Sequence, residues 1–390
     1  MVLCIRKNKE KIMLVKELLK KCVYWIFRTF CPIDNYKILF ESYYGAQYGC
    51  NPKYLSEYIV KNASQLKVTW AFVGNYPTVG NVKTVKYNSL RYFYELATAH
   101  FFVTNYRTVA SFKKRRGQLY FQTWHSSLRL KMIEKDAEKS LNPEYIEMAK
   151  ADSKRIDYLI SGCKASTAIF KQAFWYDGTI LEVGTPRIDF LLQPLDKAKI
   201  VQVRGALGIP IGAKIVMYAP TFRKNYSMEC YEIDFERLLK SLEAKYENTN
   251  WVVVVRLHPH LRNYSSQLTD SNPFLIDATT YPDIQELLFV SDVLITDYSS
   301  LMFDYLFMKR PCFIFARDLD SYTQNDRGLY FKISELPFSV STDDEELCRQ
   351  VAAFDREKAI ARYEAFIENV GSFEDGRASE RITNIILNSL

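Results

Sequence analysis

The chain has 390 residues, which is long enough for two domains that each bury a core. Hydrophobic residues make up 48% and charged residues 25%, so the composition is that of a globular protein. The formal net charge of +7 is modest and matters only where it is clustered, which is at the N-terminus; no nucleic-acid partner is expected. No run of 18 apolar residues predicts a membrane-spanning helix. Aromatic residues reach 15%, and we expect some of these rings to face a lipid or sugar surface.

The eight cysteines form no C-x-x-C pair and show no metal-ligand spacing with the four histidines. Several lie within apolar runs, which favours reduced thiols and therefore the cytosol. The N-terminal region also lacks a signal-peptide cleavage pattern. The sequence therefore predicts neither a disulfide-stabilised secreted protein nor a metal site built from these residues.

Residues 1–30 are predicted to form a basic amphipathic helix. Apolar residues recur at helical spacing between Arg6 and Phe30, and this stretch carries eight lysines and arginines against two glutamates. Trp25 and Phe27 near one end suit an anionic membrane surface. We therefore expect the helix to lie on a membrane; the alternative is a helix that packs on the protein's own core with a solvated lysine face.

Residues 31–195 alternate between short apolar runs and helical stretches, a pattern typical of a parallel sheet with helices on both faces. A Rossmann-like domain is predicted, with ligands at the carboxyl ends of its strands. The predicted strands are Tyr36–Phe40, Lys67–Val73, Val82–Val85, His100–Thr104, Leu119–Thr123 and Tyr158–Ser161, and the helices include Pro52–Lys61 and Leu90–Ala99.

Residues 196–370 repeat the alternation after a boundary near Gln193–Asp196, so a second Rossmann-like domain is expected to face the first across a cleft. Residues 371–390 end in an amphipathic helix that is expected to cross back to the first domain. The predicted strands of the second domain are Ile215–Tyr218, Trp251–Arg256, Phe274–Ile276, Val293–Ile295 and Cys312–Phe315, with helices at Phe235–Tyr246 and Ile284–Val290.

A strand, a turn and a short helix are predicted from Asp292 to Met308. Asp297 or Ser299 is positioned to cap this helix, and the hydroxyls of Ser299 and Ser300 add to the N–H groups of its first turn. The start of the helix is therefore a predicted phosphate site. The alternative, that this segment is only a helix cap, stays open.

Two histidines and three arginines follow predicted strands. His125 and His258 are expected at opposite walls of the cleft, where a pKa near neutrality suits proton transfer, and the alternative for each is a satisfied polar side chain. Arg223, Arg256 and Arg327 match phosphate oxygens or, alternatively, make surface salt bridges. No G-x-x-x-x-G-K-[ST] or G-x-G-x-x-G motif is present, which argues against a P-loop nucleotidase and a dinucleotide dehydrogenase.

An ordered set of motifs runs from about Trp124 to the end of the chain. The motifs are Thr123-Trp-His125, Gly184–Asp189, Tyr218–Arg223, Arg256–Pro259, Ser291–Ser300, Phe303–Tyr305, Lys309–Pro311, Arg327-Gly328 and Asp375–Arg381. This order resembles the CDP-glycerol glycerophosphotransferase family, whose members make teichoic acids and related capsular polymers. The resemblance implies a GT-B architecture of two facing Rossmann-like domains. It also implies transfer of an alditol phosphate from CDP-glycerol or CDP-ribitol to a hydroxyl, with release of CMP.

The resemblance implies roles for individual residues as well. His125 matches the family's proposed general base toward the acceptor hydroxyl. His258, the second catalytic candidate, matches a position expected at the donor's diphosphate. No metal-ligand cluster or cofactor is evident, so any Mg²⁺ would be carried mainly by the substrate's phosphates. The predicted donor diphosphate site comprises Arg223, the weaker candidate, and Arg256, Asp297, Ser299, Ser300, Arg327 and Gly328.

One motif departs from the family pattern. The family usually has Trp-His-Gly-Thr, whereas this chain has Trp124-His-Ser-Ser127. Loss of that glycine removes a place of close backbone approach and bears on which acceptor fits.

We therefore expect a peripheral enzyme at the cytoplasmic face of the bacterial cell membrane. It would transfer glycerol phosphate, or alternatively ribitol phosphate, to a lipid-linked glycan or growing polymer. The chain length is closer to the family's priming members than to its long polymerases. Two rival hypotheses are a GT-B glycosyltransferase that uses a nucleotide sugar and a non-catalytic membrane-surface protein that binds nucleotide or polymer. The presence of both His125 and His258 argues against the second rival.

Overall fold

The computed structural model describes residues 18–74, 82–108, 112–194, 196–223, 229–247, 249–258, 261, 264–265, 268–269, 272–319, 322 and 328–390. The first part of the predicted N-terminal helix, residues 6–17, lies outside these ranges, and helix α1 is described over residues 18–30. Within the described ranges, no helix is long and apolar enough to cross a membrane.

The first domain is built on a parallel sheet. Its strands are β1 (Asp34–Glu41), β2 (Lys67–Phe72), β3 (Lys83–Lys86), β4 (Ala99–Thr104), β5 (Leu119–Gln122), β6 (Tyr158–Ser161) and β7 (Thr179–Glu182). They lie in the order β3-β2-β1-β4-β5-β6-β7. The strand order reverses between β1 and β4, and a doubly wound sheet binds ligands at the carboxyl ends of its strands at such a point.

Helices cover both faces of this sheet. Besides α1 they are α2 (Cys50–Asn62), α3 (Leu90–Thr98), α4 (Pro143–Ser153), α5 (Lys164–Ala173) and α6 (Pro186–Leu192). Because successive side chains of a strand point to opposite faces, β1 supplies two cores. Ile38 and Phe40 lie with Trp70 in one core, and Leu39 lies with Phe102 in the other.

The second domain repeats this architecture. Its strands are β8 (Lys214–Ala219), β9 (Trp251–Val255), β10 (Leu275–Asp277), β11 (Val293–Thr296), β12 (Cys312–Phe315) and β13 (Ser339–Ser341), in the order β10-β9-β8-β11-β12-β13. The strand order reverses between β8 and β11. Its helices are α7 (Lys197–Ala206), α8 (Phe235–Lys245), α9 (Ile284–Val290), α10 (Leu301–Tyr305), α11 (Asp344–Ala352) and α12 (Arg356–Asn369).

The last helix, α13 (Ala378–Leu387), lies against the first domain. Ile382 and Ile386 are fully buried in the same core as Ile38. At the helix start, Asp189 of α6 accepts hydrogen bonds from the N–H groups of Ala378 and Ser379 at 2.9 and 2.7 Å. The end of the chain therefore stabilises the first domain.

The two parallel sheets confirm the predicted pair of Rossmann-like domains. Every predicted strand is present, with small differences at the ends, whereas β7 and β13 are not predicted from the sequence. Both are edge strands of three or four residues, with the sequences Thr-Ile-Leu-Glu and Ser-Val-Ser. Such short segments carry too few apolar residues to be distinguished from loop.

Candidate active site

The predicted phosphate-binding turn lies between β11 and α10. Ser300 occupies the N-cap position, although its side chain makes no capping bond, and Ser299 Oγ accepts a hydrogen bond from the N–H of Leu301 at 3.3 Å. The helix is shorter than predicted, because Leu306–Met308 is a 3₁₀ helix. It ends at Lys309, which adopts a left-handed φ of 53°.

Arg223 forms a buried charge cluster beside this turn. Its Nη2 lies 2.8 Å from Asp297 Oδ2, and its Nε and Nη2 donate to Asp318 at 2.7 and 3.0 Å. Burial lowers the pKa of Arg223, but the two carboxylates outweigh this effect and raise the pKa above its ordinary value. Asp297 also accepts a hydrogen bond from the N–H of Thr221 at 2.8 Å, so of the two predicted capping residues it is Ser299 that accepts a bond at the start of α10. Because the guanidinium is engaged by carboxylates, this arrangement does not support the predicted diphosphate contacts of Arg223 and Asp297.

Arg256 directly follows β9 and holds the loop between β10 and α9. Its Nη1 donates to the carbonyl oxygens of Ala278 and Thr279 at 2.6 and 2.8 Å. These bonds give Arg256 Nη1 a structural role, and the predicted contact of Arg256 with a diphosphate stays a prediction. His258 lies two residues further, at an exposed position, with its ring centroid 4.9 Å from that of Phe222. The predicted catalytic role of His258 stays a prediction.

Arg327 lies outside the described residues, but its neighbour Gly328 contacts the first domain. The Gly328 carbonyl oxygen accepts a hydrogen bond from the N–H of Met132 at 2.8 Å. A Cβ atom at position 328 would come within 2.6 Å of Met132 Sδ, so a larger residue would displace that side chain. Gly328 thus permits close approach of the two domains.

His125 lies in the loop after β5, partly exposed and surrounded by aromatic rings. Its ring centroid is 4.3 Å from that of Trp124, and its Nδ1 is 3.3 Å from the carbonyl oxygen of Asn105. A carbonyl only accepts hydrogen bonds, so this contact places the proton on Nδ1 and leaves the lone pair on Nε2. Burial, assisted by the charges of Arg187 and Arg129, lowers the pKa of His125 to about 4. The imidazole is therefore neutral at neutral pH, as a general base requires.

Two side chains that the sequence does not single out hold the backbone of the His125 loop. Asn51 Nδ2 donates to the carbonyl oxygens of Thr123 and Trp124 at 3.0 and 3.1 Å. Arg187 Nη1 donates to the carbonyl oxygen of His125, and the N–H of Arg187 donates to Asn51 Oδ1 at 3.0 Å. Asn51 and Arg187 thus hold the loop backbone in place, and they are hydrogen-bonded to each other.

Arg187 also connects this loop to α10. Its Nη2 forms an ion pair with Asp304, whose side chain is fully buried. Asp304 Oδ2 accepts a further hydrogen bond from Gln285 Nε2 at 2.9 Å. Arg187 and Asp304 lie within two of the sequence motifs, Gly184–Asp189 and Phe303–Tyr305, which marks both residues as candidates. That they form an ion pair is visible only in the three-dimensional structure.

Direct contacts join the His125 loop to the predicted phosphate turn. The N–H of Leu130 lies 3.4 Å from Ser300 Oγ, and the N–H of Tyr330 donates to the carbonyl oxygen of Leu130 at 2.8 Å. We call residues 130–132 together with Ser300 and residues 328–330 the seam. The structure therefore places Ser300 and Gly328 against residues 130–132, which follow the His125 loop in the chain.

Ser127, the residue after the position where the family has glycine, faces Glu374 and Gly162. A Cβ atom on Gly162 would lie 2.2 Å from Ser127 Oγ and 2.4 Å from Glu374 Oε1, so only glycine fits there. Burial raises the pKa of Glu374 to about 8, against hydrogen bonds from Ser127 and Thr185 that lower it. The serine therefore anchors the His125 loop to the C-terminal segment.

No group of three or more His, Cys, Asp or Glu side chains could hold a metal ion in the part of the chain that the structure describes. The site's chemistry in this region is that of a neutral imidazole, serine hydroxyls and backbone N–H groups.

The sequence of this chain is similar to proteins of known families. Residues 23–388 match the family model for CDP-Glycerol:Poly(glycerophosphate) glycerophosphotransferase. A teichoic acid poly(glycerol phosphate) polymerase of Staphylococcus epidermidis is 36% identical over 375 residues, which cover 90% of this chain and 51% of that protein. The chain thus spans about half the length of that relative.

Two other similar proteins match over nearly their whole length. A teichoic acid poly(glycerol phosphate) polymerase of Bacillus spizizenii is 30% identical over 97% of this chain and 100% of that protein. The solved structure of the wall teichoic acid polymerase TagF superimposes with a TM-score of 0.83 and 31% sequence identity, covering 100% of this chain and 98% of that chain. This likeness confirms the predicted GT-B fold.

Proposed function

The chain belongs to the CDP-glycerol:poly(glycerophosphate) glycerophosphotransferase family, and on this premise we propose that it transfers glycerol phosphate from CDP-glycerol to a hydroxyl of a growing teichoic acid polymer. The observation that carries the proposal is the family match across both domains, together with a neutral His125 in the loop that leads to the seam. Because the similar proteins are named poly(glycerol phosphate) polymerases, polymer extension is favoured over the priming role suggested by chain length. CDP-ribitol is the alternative donor.

The proposed reaction is a displacement at the phosphorus that carries the glycerol. The acceptor hydroxyl oxygen attacks this phosphorus, and the bond between it and the bridging oxygen breaks, so that CMP leaves with the bridging oxygen. His125 Nε2 takes the proton of the acceptor hydroxyl. The lowered pKa keeps the imidazole neutral at neutral pH, so that its Nε2 lone pair is free to accept the proton.

Phosphoryl transfer otherwise depends on positioning and on neutralisation of charge. We propose that Ser299, Ser300, His258 and Arg327 hold the donor diphosphate, with Gly328 shaping the approach. Ser299 and Ser300 support this assignment because they lie at the start of α10, in contact with the His125 loop through Leu130. Any Mg²⁺ would bind mainly to the substrate's phosphates.

The donor can be tested by measuring CMP release with a poly(glycerol phosphate) primer. We expect release from CDP-glycerol that depends on the primer, and little or none from CDP-ribitol. Release of a nucleoside diphosphate from a nucleotide sugar instead would favour the glycosyltransferase hypothesis. Binding of CDP-glycerol without CMP release, with any acceptor, would favour the non-catalytic hypothesis.

We also propose that α1 attaches the enzyme to the cytoplasmic face of the membrane. One side of α1 packs on the first domain, where Tyr24 is buried and the Phe27 ring lies 5.5 Å from Tyr94. The side chains left exposed include Trp25 at 59% and Phe30 at 73%. A helix with exposed aromatic residues and a basic sequence binds an anionic interface.

Vesicle co-sedimentation tests this attachment with the double variant Trp25→Ser and Phe30→Ser. We expect weaker binding to vesicles that contain anionic lipid. The control is Ile211→Ser, which removes an apolar side chain that is also exposed but lies in the second domain. Equal binding by the double variant and the wild type would exclude these rings as the attachment surface.

A further inference from the structure

Arg129 is a buried arginine directly before the seam, and it has no acidic partner among the described residues. Only 3% of the residue is exposed, and its guanidinium lies 4.1 Å from the ring centroid of Phe170. Its Nε and Nη1 make no hydrogen bond, and its Nη2 has one long contact of 3.5 Å to the carbonyl oxygen of Ser126. Most of its hydrogen-bonding capacity is therefore unused.

The other buried arginines of the described residues differ from Arg129. Arg107, Arg187 and Arg223 are likewise exposed by no more than 5%, and each contacts a carboxylate. The partners are Glu134 and Asp152 for Arg107, Asp304 for Arg187, and Asp297 and Asp318 for Arg223. The other three buried guanidinium groups are therefore neutralised by carboxylates. Arg129 is the exception, which suggests that its counter-ion is an anion from outside the protein.

The surroundings of Arg129 offer no charge that would take the place of a carboxylate. The titratable groups that interact with the guanidinium are the Cys163 thiol, the Tyr330 phenol and the His125 imidazole, all neutral at neutral pH. Burial accordingly lowers the pKa of Arg129 to about 10. A charged group that has lost its water without gaining a partner destabilises the protein, which the binding of an anion would reverse.

The position of Arg129 indicates which anion this is. His125 precedes it by four residues, and the next residue, Leu130, contacts Ser300 of the second domain. Tyr330 belongs to the second domain, so the guanidinium lies close to where the two domains meet. Both substrates of the proposed reaction carry phosphate, and the planar arginine fork matches phosphate oxygens.

We propose that Arg129 binds a substrate phosphate group at the seam through its unpaired Nε and Nη1 donors, an inference that rests on the proposed function. The phosphate comes either from the donor's diphosphate or from a phosphodiester of the polymer. Arg129 is thereby a substrate-binding residue in a loop that otherwise presents the catalytic base. It supplies positive charge on the first domain's side of the site.

Calorimetric titration of the full chain with pyrophosphate, CDP-glycerol and a short poly(glycerol phosphate) tests this binding site. The variant is Arg129→Met, which keeps the apolar contact with Phe170 but removes the charge. The control is Arg115→Met, because Arg115 also lies in the first domain and donates from Nη1 to backbone carbonyls, those of Cys31 and Ala97 at 2.8 Å. If Arg129→Met does not fold, Arg129→Gln takes its place.

We expect Arg129→Met to bind at least one probe about tenfold more weakly, or worse, with a Tm no lower than that of the wild type. Loss for pyrophosphate and CDP-glycerol assigns the site to the donor, and loss for the polymer alone assigns it to the acceptor. Unchanged affinity for all three probes, or no binding of any probe by the wild type, would overturn the proposal. Absence of CMP release by the wild type would refute the proposed function but leave these binding results decisive for Arg129.

Discussion

The ion pair between Arg187 and Asp304 is predicted to couple the stability of the domain interface to the rate of transfer. In Arg187→Met, the buried Asp304 carboxylate loses its counter-ion, and the carbonyl oxygen of His125 loses a donor. Breaking a buried ion pair by removing one partner costs about 3–5 kcal/mol. Asp304 keeps its bond to Gln285 at 2.9 Å, which favours the lower end, about 3 kcal/mol.

A double-mutant cycle with Asp304→Asn separates this pair from other effects. The asparagine keeps an acceptor for Gln285 but removes the charge, so the double variant should be more stable than the sum of the single losses implies, by about 2 kcal/mol. Because the His125 backbone is then less firmly held, kcat for CMP release by Arg187→Met should fall by about 100-fold. Urea unfolding and steady-state kinetics measure the two effects. A loss below about 1 kcal/mol with unchanged kcat would refute the idea that the pair positions the loop.

Three further predictions concern charge and pH. The acid limb of kcat/KM should lie near the His125 pKa of about 4, because protonation below that value removes the base; a limb near pH 6.5, measured by initial rates, would contradict the burial argument. Glu374 has a folded-state pKa raised to about 8, so the unfolded chain releases its proton first and stability falls as pH rises from about 4.5 to 8. Glu374→Gln should therefore raise Tm by about 2 °C more at pH 8.5 than at pH 5, and scanning calorimetry that shows no such difference would exclude a protonated carboxyl. Arg223→Met leaves Asp297 and Asp318 without their counter-ion and should destabilise the second domain by about 3 kcal/mol in urea, against a smaller loss for Arg223→Lys, which keeps the charge.

The fold could be read from the sequence because apolar runs and helical spacing are local properties. The strand Trp251–Val255, for example, is a run of five buried apolar residues that can hardly be anything else. The edge strands β7 and β13 escape this reasoning because they are short and neither contains a run of buried residues: no residue of β7 is fully buried, and in β13 only Ser341 is. Length and burial thus decided which strands were predictable.

The site was predictable only in part. Ser300 and Gly328 meet the segment that follows the His125 loop because strand ends and the turn after β11 are fixed by topology. Asp297 fits a helix cap in sequence, yet a buried guanidinium competes for it more strongly than an N–H group does.

The arginines also show that residue type alone does not reveal a side chain's partners. Arg223 and Arg256 were assigned by residue type and strand position, but their partners, Asp318 and the carbonyl of Ala278, are set by packing of distant segments. Arg129 attracts notice only once the lack of a partner is visible. Residue type thus identifies an arginine as a candidate phosphate ligand, whereas the surrounding structure decides whether its guanidinium already binds other protein groups.

The central claim is that His125 removes the proton of the acceptor hydroxyl in a reaction that uses CDP-glycerol. The most direct measurement is primer-dependent CMP release by the wild type and by His125→Ala, with CDP-glycerol binding measured in parallel. We predict that His125→Ala binds the donor as the wild type does but releases CMP at least about 100-fold more slowly. Unchanged release by His125→Ala, with CDP-glycerol as the donor, would contradict the account.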